Sequence, residues 1–245
     1  SVTAYTNGSQ SFTVNFLGDN TNGTWQNYQG QTITLTYNAT LTSAAVATNP
    51  NDVTLTFTNN NDEHTLTDQA VVHTYGIEVQ KTFSDQRVTD AAVTFNLYQA
   101  DKDGKRTGDA LKLVKIDLTP ENTEDNDNGV YRLPDASEAA NTTNVADLKL
   151  DDNGKLTITG LDVGTYWLVE TQAPDGFAEA DPIQIVLAAN SNDKAELDAS
   201  KSTAKYNGTG NDDLLTGTTK NAAGISLGQF IVLNQKGFDL PQTGR

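Results

Sequence analysis

The sequence predicts an all-β protein, with immunoglobulin-like β-sandwich domains in tandem. Three observations point there. Thr, Asn, Asp and Gly are abundant, and short β-branched and aromatic runs recur between them; such runs suit pleated, half-buried strands. Within the runs, apolar and polar residues alternate, which is the period of a strand. No amphipathic helix of useful length stands out; "PDASEAANTTNVADL" (134–148) offers one turn or two.

Taken in order, "FTVNFLG" (12–18) reads as a weak strand. "QTITLTYNATL" (31–41) and "DVTLTFTNN" (52–60) read as stronger ones. Ile33, Leu35 and Tyr37 share one face, as do Val53, Leu55 and Phe57. These are half-buried strands divided by turns such as "TNPND". They are few for a sandwich, so residues 1–76 are expected to form an N-terminal β-sandwich that is incomplete.

A second series begins at Ile77 with "IEVQKTF" and "AVTFNLYQA", followed by "LKLVKIDL", "GVYRLP" and "KLTITGL". It continues with "TYWLVETQ", "PIQIVLAA", "KAELDA" and "GQFIVLNQK". Their spacing, with "DKDGK" and "DDNGK" as turns, is that of an antiparallel sandwich over residues 77–236. The remainder, 237–245, is a polar tail punctuated by Gly and Pro.

The 245 residues carry a formal net charge of −16, and no Lys or Arg precedes Lys81. A nucleic-acid partner is excluded on these grounds, because a phosphate backbone needs a basic surface. The chain has neither cysteine nor methionine, which suits an exported protein exposed to oxidants. The sequence contains no Gly-rich phosphate loop and no nucleophile elbow. Neither a cofactor nor enzyme turnover is expected.

Strand parity singles out three polar residues. Glu170 shares a face with Leu168 and Tyr166, and Lys81 shares one with Ile77, Val79 and Phe83. Asn234 falls with Phe230 and Val232, although Ile231 and Leu233 make the opposite face apolar too. Burial disfavours an ammonium, and the neutral amine it leaves is a nucleophile. A buried carboxyl can hold a proton, donate it to an amide carbonyl, and shuttle protons. Attack of Lys81 on the Asn234 carboxamide would release ammonia and leave an amide between side chains. A buried Lys–Glu ion pair with a hydrogen-bonded Asn fits the same pattern, and the residues alone do not choose.

Resemblance does choose. "YWLVETQAPDGF" resembles the E-box of Gram-positive pilins, departing at Phe177, and "LPQTG" is similar to the sortase signal L-P-x-T-G. "IEVQKTF" followed by "AAVTFNLYQ" resembles the opening of a collagen-adhesin B-type domain, whose Lys bonds an Asn in the last strand, here "IVLNQKG". The resemblance covers residues 76 to 244. It implies a Lys81–Asn234 isopeptide bond formed autocatalytically, with Glu170 as acid and base. Leu240, Pro241, Gln242, Thr243 and Gly244 would form the sorting signal. By the same resemblance Asn59 would be the acceptor of the first domain, with its lysine lying upstream of Ser1.

Other signals are weaker. Asp101 and Asp103, and Asp125 and Asp127, have the i, i+2 spacing of Ca²⁺ loops. Neither pair belongs to a complete twelve-residue pattern, and hairpin turns use the same residues. Plain turns are the expectation, with no metal. His64 and His73 lack the partners of a zinc site.

The reading is a structural subunit of a covalent cell-surface pilus, the backbone pilin rather than an accessory one. Its partners would be sortase, other pilin subunits, cell-wall peptidoglycan and host surface ligands. The alternative is a wall-anchored adhesin, with a B-type stalk and a ligand-binding N-terminal region.

Overall fold

A computed structural model describes residues 11–14, 32, 34–37, 41–42, 45–59, 62–116, 129–135, 137–210 and 212–236. The chain divides into two compact units, 1–39 and 40–245. In the first, the Phe12 and Tyr37 rings meet edge to face with centroids 5.0 Å apart. The residues described within 31–41 are not in a strand, and Val14 makes an isolated bridge within 12–18.

The second unit opens on a long hairpin. Strands β1 (Thr48–Asn59) and β2 (Asp62–His73) pair antiparallel, from Thr48 opposite His73 to Asn59 opposite Asp62. Alternation puts Val53, Leu55 and Phe57 on one face, as the sequence predicts, but all three are exposed rather than half-buried, and "TNPND", read as a turn, lies within β1. His64 lies in β2 and stacks on Phe57 at 5.3 Å.

Two larger sheets follow, as predicted for an immunoglobulin-like sandwich. One has five strands in the order β11 (Thr203–Tyr206), β10 (Ile183–Leu187), β9 (Gly164–Gln172), β4 (Thr94–Gln99), β7 (Leu148–Lys149). The other has six: β12 (Leu215–Lys220), β13 (Ser226–Asn234), β3 (Tyr75–Phe83), β8 (Lys155–Leu161), β6 (Val130–Arg132), β5 (Val114–Lys115). The pairs β3–β13 and β6–β8 are parallel. Ile77, Val79, Leu156, Ile158, Phe230 and Val232 from the larger sheet join Phe95, Leu97, Leu168, Ile183 and Ile185 from the smaller in one buried cluster. Fully burying an aliphatic side chain of this size contributes about 1.5–3 kcal/mol.

Several predicted elements differ. Among the described residues of "LKLVKIDL" only Val114 and Lys115 are in a strand, and "KAELDA" is a turn tied by a bridge between Leu197 and Ala189. Strands β11 and β12 were not apparent in the sequence, where β12 reads "LTGTTK". Among the described residues of 134–148 there are turns and no helix. There Glu138 grips Arg132 through two bonds of 2.6 Å and accepts from the Asp135 amide, so local side chains hold the loop.

At Gly76 neighbouring strands approach too closely for a side chain. A Cβ there would lie 2.3 Å from the Ile158 carbonyl oxygen and 2.6 Å from Leu227 Cδ2. Backbone cannot yield as a side chain would, so Gly76→Ala is expected to destabilise the sandwich by about 1–3 kcal/mol. Urea denaturation should show a lower midpoint with an unchanged slope.

Candidate functional site

From Ile77 onward strand β3 alternates in burial, which carries Lys81 inward beside Val79 and Phe83. Its parallel neighbour β13 pairs in register, Val232 opposite Lys81 and Asn234 opposite Phe83. The lysine stem therefore has only to cross one strand spacing to meet Asn234. Strand β9 belongs to the other sheet and points Glu170 back across the core, beside Phe95. Ile231 and Leu233 are 44% and 43% exposed, so the ambiguity of β13 resolves with Asn234 inward.

The structure thus brings the three predicted residues together. Lys81, Glu170 and Asn234 are only 1%, 3% and 1% exposed. Lys81 Nζ donates to Asn234 Oδ1. Asn234 Nδ2 donates to Glu170 Oε1 at 2.9 Å, and the same oxygen lies 3.3 Å from Lys81 Nζ. Phe83 and Phe95 wall the amine, each ring centroid 5.7 Å from Nζ. Burial lowers the Lys81 pKa to about 8, against the opposing pull of Glu170. Among the described residues, every buried side-chain nitrogen and oxygen has a hydrogen-bond partner.

One partner was not foreseen. The Ala180 amide donates to Glu170 Oε2 at 2.5 Å, which leaves Oε1 turned toward Lys81 and Asn234. A backbone donor carries no side-chain signature, so no sequence pattern announces it. The carboxylate also faces the two nitrogens rather than the Asn234 carbonyl oxygen, where a proton donor was expected.

The remaining predicted residues lie elsewhere. Asp101 Oδ1 accepts from the amides of Asp103 (2.8 Å) and Lys105 (2.9 Å), and Asp103 pairs with Lys102. These carboxylates serve a turn. Asp125, Asp127, the Asn59 side chain and the sorting signal Leu240, Pro241, Gln242, Thr243 and Gly244 are outside the described residues.

Two packed sheets with a buried Lys–Glu–Asn cluster define a β-sandwich domain with a polar site inside its core. The family of SpaA prealbumin-like fold domains matches residues 75–203, more than half of the chain, and the chain belongs to that family. Several solved structures are similar. A minor pilin of Streptococcus agalactiae, GBS52, is 16% identical over 73% of this chain and 57% of its own, with a TM-score of 0.36. The pilus 2b backbone protein of group B streptococcus is 23% identical over 76% and 48%, TM-score 0.37. The major pilin SpaA of Corynebacterium diphtheriae is 12% identical over 74% and 35%, TM-score 0.39. The chain therefore spans roughly half the length of the first two. The comparison with curated proteins finds no match.

The buried charges generate a test that does not depend on any reaction. Glu170→Leu leaves the Lys81 amine buried without its counter-charge, and adding Lys81→Met removes the amine. The double variant is expected to be more stable than Glu170→Leu by roughly 3 kcal/mol in urea denaturation. Equal midpoints would contradict a buried, charge-compensated amine.

Proposed function

We propose that the chain is a structural subunit of a covalently polymerised pilus on a Gram-positive cell surface, serving as the backbone pilin. Within this reading, residues 77–236 are a B-type domain closed by an isopeptide bond between Lys81 and Asn234, and 237–245 are a sorting tail. The observation that supports it most is the buried contact of an amine, a carboxamide and a carboxylate on the first, last and a middle strand of one sandwich. The family match agrees with it.

The chemistry follows from the contacts. Neutral Lys81 Nζ attacks Asn234 Cγ and forms a C–N bond. The Glu170 carboxylate takes the proton that Nζ sheds, through Oε1 at 3.3 Å. It passes that proton to Nδ2 at 2.9 Å. The Cγ–Nδ2 bond then breaks and ammonia leaves, so Glu170 returns to its starting state. A low local dielectric and fixed neighbours lower the cost of the step, because both reactants are held in place before it begins. In assembly, a sortase thiolate would attack the Thr243 carbonyl and release Gly244. A lysine of a neighbouring subunit, or peptidoglycan at the wall, would then accept the acyl group.

Intact-mass measurement should show a deficit of one ammonia, and tandem mass spectrometry should join the Lys81 and Asn234 peptides. Lys81→Ala and Glu170→Gln should restore the full mass. Because burial lowers the amine pKa, the neutral fraction grows as pH rises through about 8. Bond formation in freshly made chains should accelerate over that range and then level off. Full mass in the wild-type protein would end this reading of the site.

Polymerisation has its own test. Wall extracts should contain a ladder of detergent-resistant polymers that Thr243→Ala reduces to monomer. A single anchored species from the wild-type gene would favour the wall-anchored adhesin instead.

A further inference from the structure

Beside the triad lies a cluster of charged and aromatic groups that the chemistry above leaves unused. The turn after β3 carries Asp85, Arg87 and Asp90. Arg87 is gripped by Asp85, with Nε 2.9 Å and Nη2 2.7 Å from Oδ2, and its Nη1 bonds Asp90. The turn is sharp enough to put Gln86 at a φ of 65°. That grip fixes the guanidinium over two rings, its Cζ 4.9 Å from the Phe177 centroid and 5.8 Å from that of Phe83.

The two rings meet edge to face at 5.8 Å. Phe83 is also a wall of the Lys81 amine. The layers therefore run from a part-exposed guanidinium, through two aromatic rings, to the buried nitrogen. Phe177 belongs to the loop after β9, where its amide bonds the Pro174 carbonyl at 3.0 Å. Three residues on, Ala180 holds Glu170 Oε2. The chain after β13 closes the same corner, with a bridge from Phe177 to Lys236 and a bond from the Lys236 amide to Ser84 Oγ at 3.0 Å.

We infer that Arg87 is a positioning residue for bond formation, pinning Phe177 over Phe83 so that water stays out and the loop holds Glu170 toward the two nitrogens. This rests on the proposed Lys81–Asn234 reaction. A guanidinium serves here better than an ammonium. Its plane stacks on a ring while its edge holds a carboxylate with two bonds, which a point charge cannot do. Glu170 on β9 faces the amine directly, Glu170 also acts on Tyr206 of β11, and the Asp85–Arg87–Asp90 cluster lies beyond Phe83. Glu170 opposes the lowering of the Lys81 pKa, so exclusion of water sustains it. Opening the cover would let that value climb back toward that of an ordinary lysine.

The test uses full-length chains made by cell-free synthesis, quenched in acid at intervals and weighed intact. Arg87→Ala and Phe177→Ala should lose ammonia about tenfold more slowly than wild type. Phe177→Tyr, which keeps the ring, should stay within about twofold. The pH at half-maximal rate should move upward in Arg87→Ala, a change that loss of stability alone would not produce. If Arg87→Ala does not fold, Arg87→Lys takes its place, with a slower rate and the same upward shift expected. Wild-type rate and midpoint in whichever variant folds would overturn the inference. A wild-type chain that keeps its ammonia, or Glu170→Gln losing it at the wild-type rate, would overturn the underlying reaction and this inference with it.

Discussion

The parallel pairing of β3 with β13 is the constraint from which the rest follows. These are the first and last strands of the two-sheet sandwich, and their pairing spans more than 150 residues of sequence, from Lys81 opposite Val232 to Asn234 opposite Phe83. Contacts of such long sequence separation form late and cost the most chain entropy. Once made, they fix the register that lets one lysine reach one asparagine. A slip of a single residue would turn Asn234 to the exposed face now held by Ile231 and Leu233, and the site would be gone.

Burying an amine and a carboxylate together is not an efficient way to stabilise a core. Desolvating two charges costs several kcal/mol each, and apolar side chains of similar volume would serve at least as well. The surroundings of the cluster fit the reaction proposed for it. Two aromatic rings exclude water from the amine, and a backbone amide turns the carboxylate toward both nitrogens. The geometry differs from the simplest sequence-based picture in one respect that bears on mechanism. Glu170 contacts both the nitrogen that would lose a proton and the nitrogen that would gain one in the proposed reaction.

Much of this was legible in the residues because strand parity is a strong local signal. Lys81 and Glu170 interrupt otherwise apolar faces, and the structure buries both. Asn234 was harder, since Phe230 through Leu233 are apolar on both faces and only the packing decides which is inside. Strands β11 and β12 escaped notice because they are short and rich in Thr, Gly and Lys, and edge positions ask little of side chains. The reverse error, a strand over 194–199, came from an alternating pattern that local side-chain bonds hold as a turn. Asp193 Oδ1 takes the Ala195 amide there, and Asp198 Oδ1 takes that of Ser200. The contact of Arg87 with Phe177 could not have been read at all, because "SDQRV" looks like any charged turn until Phe177 is seen beside it.

The direction of β3 and β13 also settles how the sandwich would meet tension. Because the strands are parallel, the chain arrives at Tyr75 at one end of the sheet and departs after Asn234 at the other, nine residues and about 30 Å along. A pull on the two ends shears these strands against each other. With Lys81 joined to Asn234, the force would run down β3, through one side-chain amide, and out. The other strands of the sandwich would then lie slack beside the path, and the domain would behave as a short inextensible link. A fibre of such links could be tugged without lengthening, and with no sulfur in the chain a reductant would have nothing to cut.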